Sequence, residues 1–90
     1  MNNFTIKKIT NEGKEIEHQK IEIFGFNSKE IKAIKIISTS KMKEFYDGLY
    51  SQYDFFLEVY YDDSSFKFIT CKCLSITDNG NGLYHYEFHL

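Results

Sequence analysis

The sequence contains no arginine, no proline and no tryptophan, and it has only two cysteines. Arginine is best suited to bidentate contacts with phosphates and guanine edges, so its absence argues against direct recognition of nucleic acid. No run approaches the roughly 18 to 20 consecutive apolar residues of a membrane span, and the N-terminal MNNFTIKKIT lacks the apolar region of a signal peptide. We therefore expect a cytoplasmic protein that contacts neither membrane nor nucleic acid directly.

The 90 residues are 42% hydrophobic and 18% aromatic, which is enough apolar surface to offset the entropy of ordering the chain. A chain of this length has room for one hydrophobic core, so we expect a single domain over residues 1–90. Charge is distributed unevenly, with nine lysines against five glutamates in residues 1–43 and two lysines against eight acids in residues 44–90. A charged partner would therefore meet two different surfaces.

Alternation of apolar and polar residues, punctuated by glycine, asparagine, aspartate and serine, predicts six strands and one helix. The strands are predicted at residues 4–9, 15–26, 31–37, 54–61, 66–76 and 83–90, and the helix begins after Ser40 as its N-cap and ends between residues 50 and 52.

Residues 31–37 also fit a helical face, but four isoleucines in this run favour a strand. Residues 54–61 are the predicted central strand, and Phe55, Leu57, Val59 and Tyr61 share one of its faces. The order β-β-β-α-β-β-β predicts an α+β fold, with an antiparallel sheet of about six strands packed on one helix, or a half-open barrel.

Zinc binding is the sharpest chemical hypothesis for the last two strands, because they carry Cys71, Cys73, His85 and His89. If the numbers of paired residues sum to an even value, Cys71 lies opposite His89 and the potential ligands cluster. If the numbers sum to an odd value, the potential ligands do not cluster. Structural zinc also prefers cysteines separated by two to four residues, whereas one residue separates this pair.

The odd register sets Cys73 opposite Tyr86 and Cys71 opposite Phe88, so that both thiols join an apolar face. It also sets Lys72 opposite Glu87, whereas the even register places this lysine among aromatic rings. We therefore predict the odd register, with buried thiols, solvent-facing histidines and neither a metal nor another cofactor.

No group of residues in the sequence matches a catalytic motif well. A Cys/His nucleophile pair lacks the helix N-terminus or cationic neighbour that would stabilise a thiolate. Asp62 and Asp63 precede two serines, as in a solvated turn. The glycines of residues 79–82 are followed by neither a Lys-Ser/Thr pair nor a helix, so they indicate a hairpin loop rather than a phosphate site. We predict a protein that is not an enzyme.

The outstanding segment is residues 44–63, which contains six acids, five tyrosines and no lysine. Tyrosine offers apolar area with a polar tip, and a field of one sign attracts a partner of the other sign. We therefore predict an acidic, aromatic docking surface for a protein with a basic face. The candidate binding residues are Glu44, Asp47, Tyr50, Asp54, Tyr60, Asp62 and Asp63.

In size, in its Lys/Asn/Ile/Tyr-rich composition and in this acidic patch, the chain resembles small phage or mobile-element proteins that inhibit host nucleases, including anti-CRISPR proteins. The resemblance implies an inhibitor that occupies a basic groove on a nucleic-acid-handling protein. An alternative is a structural subunit, as in phage tails, which forms homo-oligomers by pairing strand edges.

Overall fold

The computed structural model describes residues 6–27 and 30–90, which form seven strands and one helix. The elements are β1 (Ile6–Asn11), β2 (Lys14–Glu15), β3 (Lys20–Asn27), β4 (Glu30–Ser38), α1 (Lys43–Ser51), β5 (Phe55–Tyr61), β6 (Phe66–Asp78) and β7 (Tyr84–His89). No helix in this part of the chain is long and apolar enough to cross a bilayer.

All seven strands belong to one antiparallel sheet with the order β2-β1-β5-β6-β7-β4-β3. The predicted class, an antiparallel α+β fold with one helix, is confirmed, but there are seven strands rather than about six. The prediction of a strand at residues 31–37 is confirmed by β4. The strand predicted as central, β5, is an interior strand, whereas the middle position is held by β6. Residues 4 and 5 of the first predicted strand lie outside the described residues.

The strand predicted at residues 15–26 is divided into β2 and β3, which lie at opposite edges of the sheet. The N–H of Ile16 donates to the carbonyl of Ile9 in β1 (2.8 Å), and the N–H of Gln19 donates to that of Ile37 in β4 (2.7 Å). Three residue steps span at most ~11 Å. In a flat seven-stranded sheet the outer strands would lie ~29 Å apart. The sheet must therefore curl into a half-barrel, and residues 16–19 connect its two edges.

A cluster of hydroxyl groups holds this connection in place. The carboxylate of Glu17 accepts hydrogen bonds from three consecutive hydroxyls at the end of β4 and just after it, and these belong to Ser38 (3.5 Å), Thr39 (2.7 Å) and Ser40. The prediction that Ser40 is the helix N-cap is therefore wrong. Its hydroxyl is engaged by Glu17, and the helix begins three residues later at Lys43, after an extended Met42.

The core fills the concave side of the half-barrel, and Phe45 of α1 lies at its centre. This side chain is fully buried and packs edge to face against three aromatic rings of the sheet, those of Phe55, Tyr86 and Phe88, with centroid separations of 5.3, 5.1 and 5.0 Å. The prediction that alternate residues from Phe55 to Tyr61 share one face of β5 is confirmed, and the structure shows that this is the buried face. The helix is thus anchored by one ring that contacts two strands, β5 and β7.

The buried tyrosine of β7 also fixes the start of the helix. The hydroxyl of Tyr86 donates to the carbonyl of Ser40 (2.7 Å) and accepts a hydrogen bond from the N–H of Met42 (2.8 Å). Burial raises the pKa of Tyr86 to about 12. This hydroxyl therefore satisfies one carbonyl and one N–H of the loop that leads into α1.

Candidate functional site

The outer, convex face of β5 and β6 carries aromatic side chains that the core does not cover. Because side chains alternate along a strand, burial of one set of residues sends the other set outward. Phe56, Phe66 and Phe68 are 66%, 52% and 69% exposed. Tyr60 is half-buried and lies opposite Phe66 in the β5–β6 ladder. These four residues are called the aromatic ladder below.

Most of the rings of the aromatic ladder contact one another. Tyr60 and Phe66 are stacked at 5.5 Å between centroids, and Phe66 meets Phe68 edge to face at 5.3 Å. From β1, the ammonium of Lys8 lies 4.9 Å from the centroid of the Tyr60 ring. Three of the four rings, those of Tyr60, Phe66 and Phe68, therefore form a contiguous preformed surface, and one of them already accepts a cation on its face.

Charged groups border the rings. The carboxylate of Glu58, between Phe56 and Tyr60 along β5, accepts hydrogen bonds from the hydroxyls of Thr10 (2.9 Å) and Tyr60 (3.3 Å). At one end of the aromatic ladder, Lys72 donates to Asp54 (2.5 Å). These contacts fix the polar groups around the rings, so the border is ordered as well as the apolar centre.

The turn between β5 and β6 closes the other end of the aromatic ladder. Ser64 has a positive φ of 73°, and Asp63 accepts hydrogen bonds from the N–H (3.0 Å) and the hydroxyl (2.5 Å) of Ser65. These hydrogen bonds lower the pKa of Asp63. Asp62 is exposed beside it. Residues 62–63, called the acidic turn below, place two carboxylates next to Tyr60 and Phe66.

The seven predicted binding residues fall into two groups. The first group lies on or beside the aromatic ladder and consists of Asp54, Tyr60, Asp62 and Asp63. The second group lies on α1, which packs against the concave side of the sheet, and consists of Glu44, Asp47 and Tyr50. The predicted residues therefore do not form one continuous face, because Tyr60 points away from the side on which the helix packs. Their role in binding stays a prediction.

The helix group makes fewer contacts with aromatic rings than the first group does. Asp47 pairs with Lys43 one turn earlier (2.8 Å), in a contact between two exposed side chains that contributes little to stability. Tyr50 is 88% exposed, with no other ring beside it among the described contacts. Glu44 lines a cavity of about 420 Å³ between the start of the helix and residues 11–17. Among the described contacts, none joins these three side chains to one another.

Sequence reasoning missed the three phenylalanines of the aromatic ladder, although a signal for them was present. On β6, Phe66 and Phe68 have the parity of Lys72, whereas Ile69 and Cys71 have the opposite parity. Since the latter two are buried, alternation alone assigns both phenylalanines to the outer face.

The cysteines and histidines of β6 and β7 do not form a metal site. Within the described residues, no group of three or more His, Cys, Asp or Glu side chains is placed to hold a metal ion. Both thiols are buried, as predicted, while His89 is exposed and lies 3.4 Å from Glu87. His85 is half-buried rather than fully solvent-facing.

The predicted odd register is confirmed around the cysteines, but the predicted pairs are wrong by two residues. Cys73 lies opposite Phe88, not Tyr86, and Lys72 lies opposite His89, not Glu87. A bulge between residues 73 and 75 then changes the parity, so that the far half of the hairpin pairs in the even register. Hydrophobic alternation fixes the face of a residue but not its partner, which is why parity was predicted and the pairs were not.

The thiols give a prediction about pH. Burial raises the pKa of Cys71 to about 12 and that of Cys73 to about 11, from an ordinary value of 9.0. Above pH 9 the unfolded chain loses these protons while the folded chain keeps them, so the free energy of unfolding should fall as pH rises from 9 towards 11. Urea unfolding curves at successive pH values measure this fall.

The matched control is the double variant Cys71→Ala, Cys73→Ala, in which the fall between pH 9 and 10 should be smaller, and the remainder comes from tyrosines such as Tyr86, whose pKa is also raised by burial. In the wild type, the native thiols should also react with a thiol reagent at pH 8 far more slowly than the unfolded chain does. Equal reaction rates for the native and unfolded chains would contradict the buried, protonated state.

Comparisons with known proteins found no relative of this chain. No protein-family model matches the chain, and neither the curated proteins nor the solved structures give a match. The class of protein is therefore defined by its architecture, a small antiparallel α+β half-barrel with an exposed aromatic face.

Proposed function

We propose that this protein is a small, non-enzymatic binding module, which docks on another protein through the aromatic ladder and the acidic turn. The observation that carries the proposal is the exposure of three phenylalanines on one side of two neighbouring strands. A contiguous group of large apolar side chains on a surface is typical of a recognition site, and buried aromatic anchors supply much of the energy of protein interfaces.

Charge defines the chemistry of the partner. The carboxylates of Asp62 and Asp63 lie at one end of the aromatic ladder, and the carboxylate of Glu58 lies within it. A partner with an apolar centre and a basic border would match this arrangement, because lysine and arginine interact favourably with both carboxylates and ring faces. A nucleic acid would match it poorly, since its phosphates would approach these carboxylates.

The resemblance to small inhibitors suggests a more specific form of this function. In that form the protein occupies a basic groove on a nucleic-acid-handling protein, such as a phage-defence nuclease, and blocks access of the nucleic acid. The aromatic ladder would supply affinity, and the acidic turn would increase the association rate by electrostatic attraction.

The test compares three variants of the tagged protein. Phe56→Ser with Phe68→Ser removes exposed rings, and Asp62→Lys with Asp63→Lys reverses the acidic turn. Both variants should stay folded and should weaken binding at least about tenfold. Partners are captured from a bacterial lysate at low and high salt and identified by mass spectrometry, and affinities are then measured with the purified partner.

The matched control is Glu44→Lys with Asp47→Lys, which makes the same change of charge on the helix group. It should leave the affinity within about twofold, because that group lies on the other side of the sheet. Full affinity in both the phenylalanine and the acidic-turn variants, once they are shown to be folded, would overturn the proposal. Loss in the helix variant alone would place the contact on α1 instead.

A further inference from the structure

One edge of the sheet is formed by a long strand. β3 is the last strand in the order and pairs along one side with β4, while no strand of the described chain pairs with its other side. The opposite edge is formed by the two-residue β2 and by β1, which is interrupted by an irregularity between Ile6 and Lys8. Short and irregular edges resist pairing, so β3 is the edge better suited to accept another strand.

The isoleucine side chains on the inner face of β3 are less buried than those on the inner face of β4. Ile34 and Ile36 of β4 are fully buried, whereas their partners on β3, Ile23 and Ile21, are only half-buried. A strand placed beside β3 would cover these two side chains further and would provide partners for its free backbone groups.

The charges on β3 are self-complementary in one antiparallel register. Lys20 and Glu22 lie on the face opposite to the half-buried isoleucines. If two copies of β3 pair around Ile21, the lysine of each copy lies opposite the glutamate of the other. A register centred on Glu22 would instead oppose two carboxylates, and one centred on Ile23 would oppose Glu22 with Phe24.

We propose that a second copy of this chain pairs with β3, in a symmetric antiparallel dimer whose two-fold axis passes beside Ile21. Such a contact is isologous and closes on itself, so it produces a dimer rather than a filament. An irregularity at Gly25 ends the straight part of the strand and confines the pairing to residues 19–23. The dimer does not depend on the aromatic ladder, which lies on other strands.

Charge exchange tests the contact. Sedimentation equilibrium of the wild type, over a concentration series, should show a monomer–dimer equilibrium. Lys20→Glu should raise the dissociation constant about tenfold, because the dimer would then contain two pairs of opposed carboxylates, each formed by residue 20 of one copy and Glu22 of the other. Lys20→Glu with Glu22→Lys should restore dimerisation. The matched control is Lys14→Glu on β2, which makes the same charge change at the opposite edge and should leave the dissociation constant unchanged.

Cross-linking tests the register. In mild oxidant, Ile21→Cys should form a disulfide-linked dimer, because the two substituted residues face each other across the axis. Ile23→Cys should not do so, since its two copies would lie too far apart. The native thiols are buried and do not compete.

Three outcomes would overturn the proposal. The first is a monomer at every concentration of the wild type. The second is cross-linking of Ile23→Cys in preference to Ile21→Cys. The third is a dimer that persists in Lys20→Glu but is lost in Phe56→Ser with Phe68→Ser, which would show self-association through the aromatic ladder. The foreign partner of the proposed function is absent from all these experiments, so the two proposals succeed or fail separately.

Discussion

Phe45→Ala should lower the free energy of unfolding by about 3 to 5 kcal/mol, the largest single effect expected in this chain. The ring is fully buried and contacts three aromatic rings from β5 and β7. Its removal would leave a cavity between the helix and the sheet, and the rigid curled sheet can collapse only partly around it. Chemical denaturation followed by far-UV circular dichroism measures the loss.

The control on the same helix is Tyr50→Ala. This side chain is 88% exposed, so its removal should change the free energy of unfolding by less than about 0.5 kcal/mol. A similar loss of stability in both variants would mean that α1 is not anchored by Phe45. The comparison isolates packing, because both substitutions exchange an aromatic residue for the best helix former.

Gly48→Ala should destabilise the protein by about 1 to 3 kcal/mol, although the same change within an unobstructed helix would stabilise it by about 1 kcal/mol. A Cβ atom at this position would lie 2.3 Å from two carbons of the Phe55 ring. That ring is itself confined by Phe45 and Phe88, so it cannot move aside without disturbing the core. Thermal and urea unfolding of the variant measure the sign of the effect.

A double-mutant cycle identifies the cause. Phe55→Leu removes the obstructing ring, so Gly48→Ala should cost less in that background than in the wild type, by at least about 0.5 kcal/mol. Additive effects of the two substitutions, or a stabilising Gly48→Ala in the wild type, would show that the helix and the sheet do not approach as closely as described.

Gly48 has a low helix propensity, but its lack of a side chain is required by the packing of α1 on the sheet. Considered alone, glycine in a short helix lowers the expectation of a helix, because it costs backbone entropy. In the folded protein the absence of a side chain lets α1 approach β5 closely enough for Phe45 to reach the aromatic core. Helix propensity is thus given up for close packing.

The aromatic ladder connects the fold to the proposed function. The same alternation that buries Leu57 and Val59 sends Phe56 outward, and the antiparallel register places Phe66 and Phe68 on the same face. No element among the described residues covers these side chains. Exposed apolar patches often mark interaction sites, and this is the basis of the proposed docking role.

Several features were determined by the sequence alone. Period-two alternation predicted that Phe55, Leu57, Val59 and Tyr61 share one face of β5, and the four isoleucines of residues 31–37 predicted a strand there, because both signals depend on local backbone geometry. Residue chemistry at the cysteines predicted their burial and the odd parity of the hairpin around them. An antiparallel α+β fold with one helix among the described residues follows from such local signals.

The tertiary structure decided which strands are neighbours and what each face contacts. Residues 15–26 have the pattern of one strand, but only the curled sheet shows that their two halves join opposite edges. Likewise, the acids and tyrosines of residues 44–63 are continuous in sequence, yet they divide among the helix, the loop after it, the turn after β5 and both faces of β5. Periodicity in the sequence indicates whether a side chain points inward or outward. The neighbours of that side chain depend on strand pairing, bulges and curvature, and these arise from contacts between residues far apart in the chain.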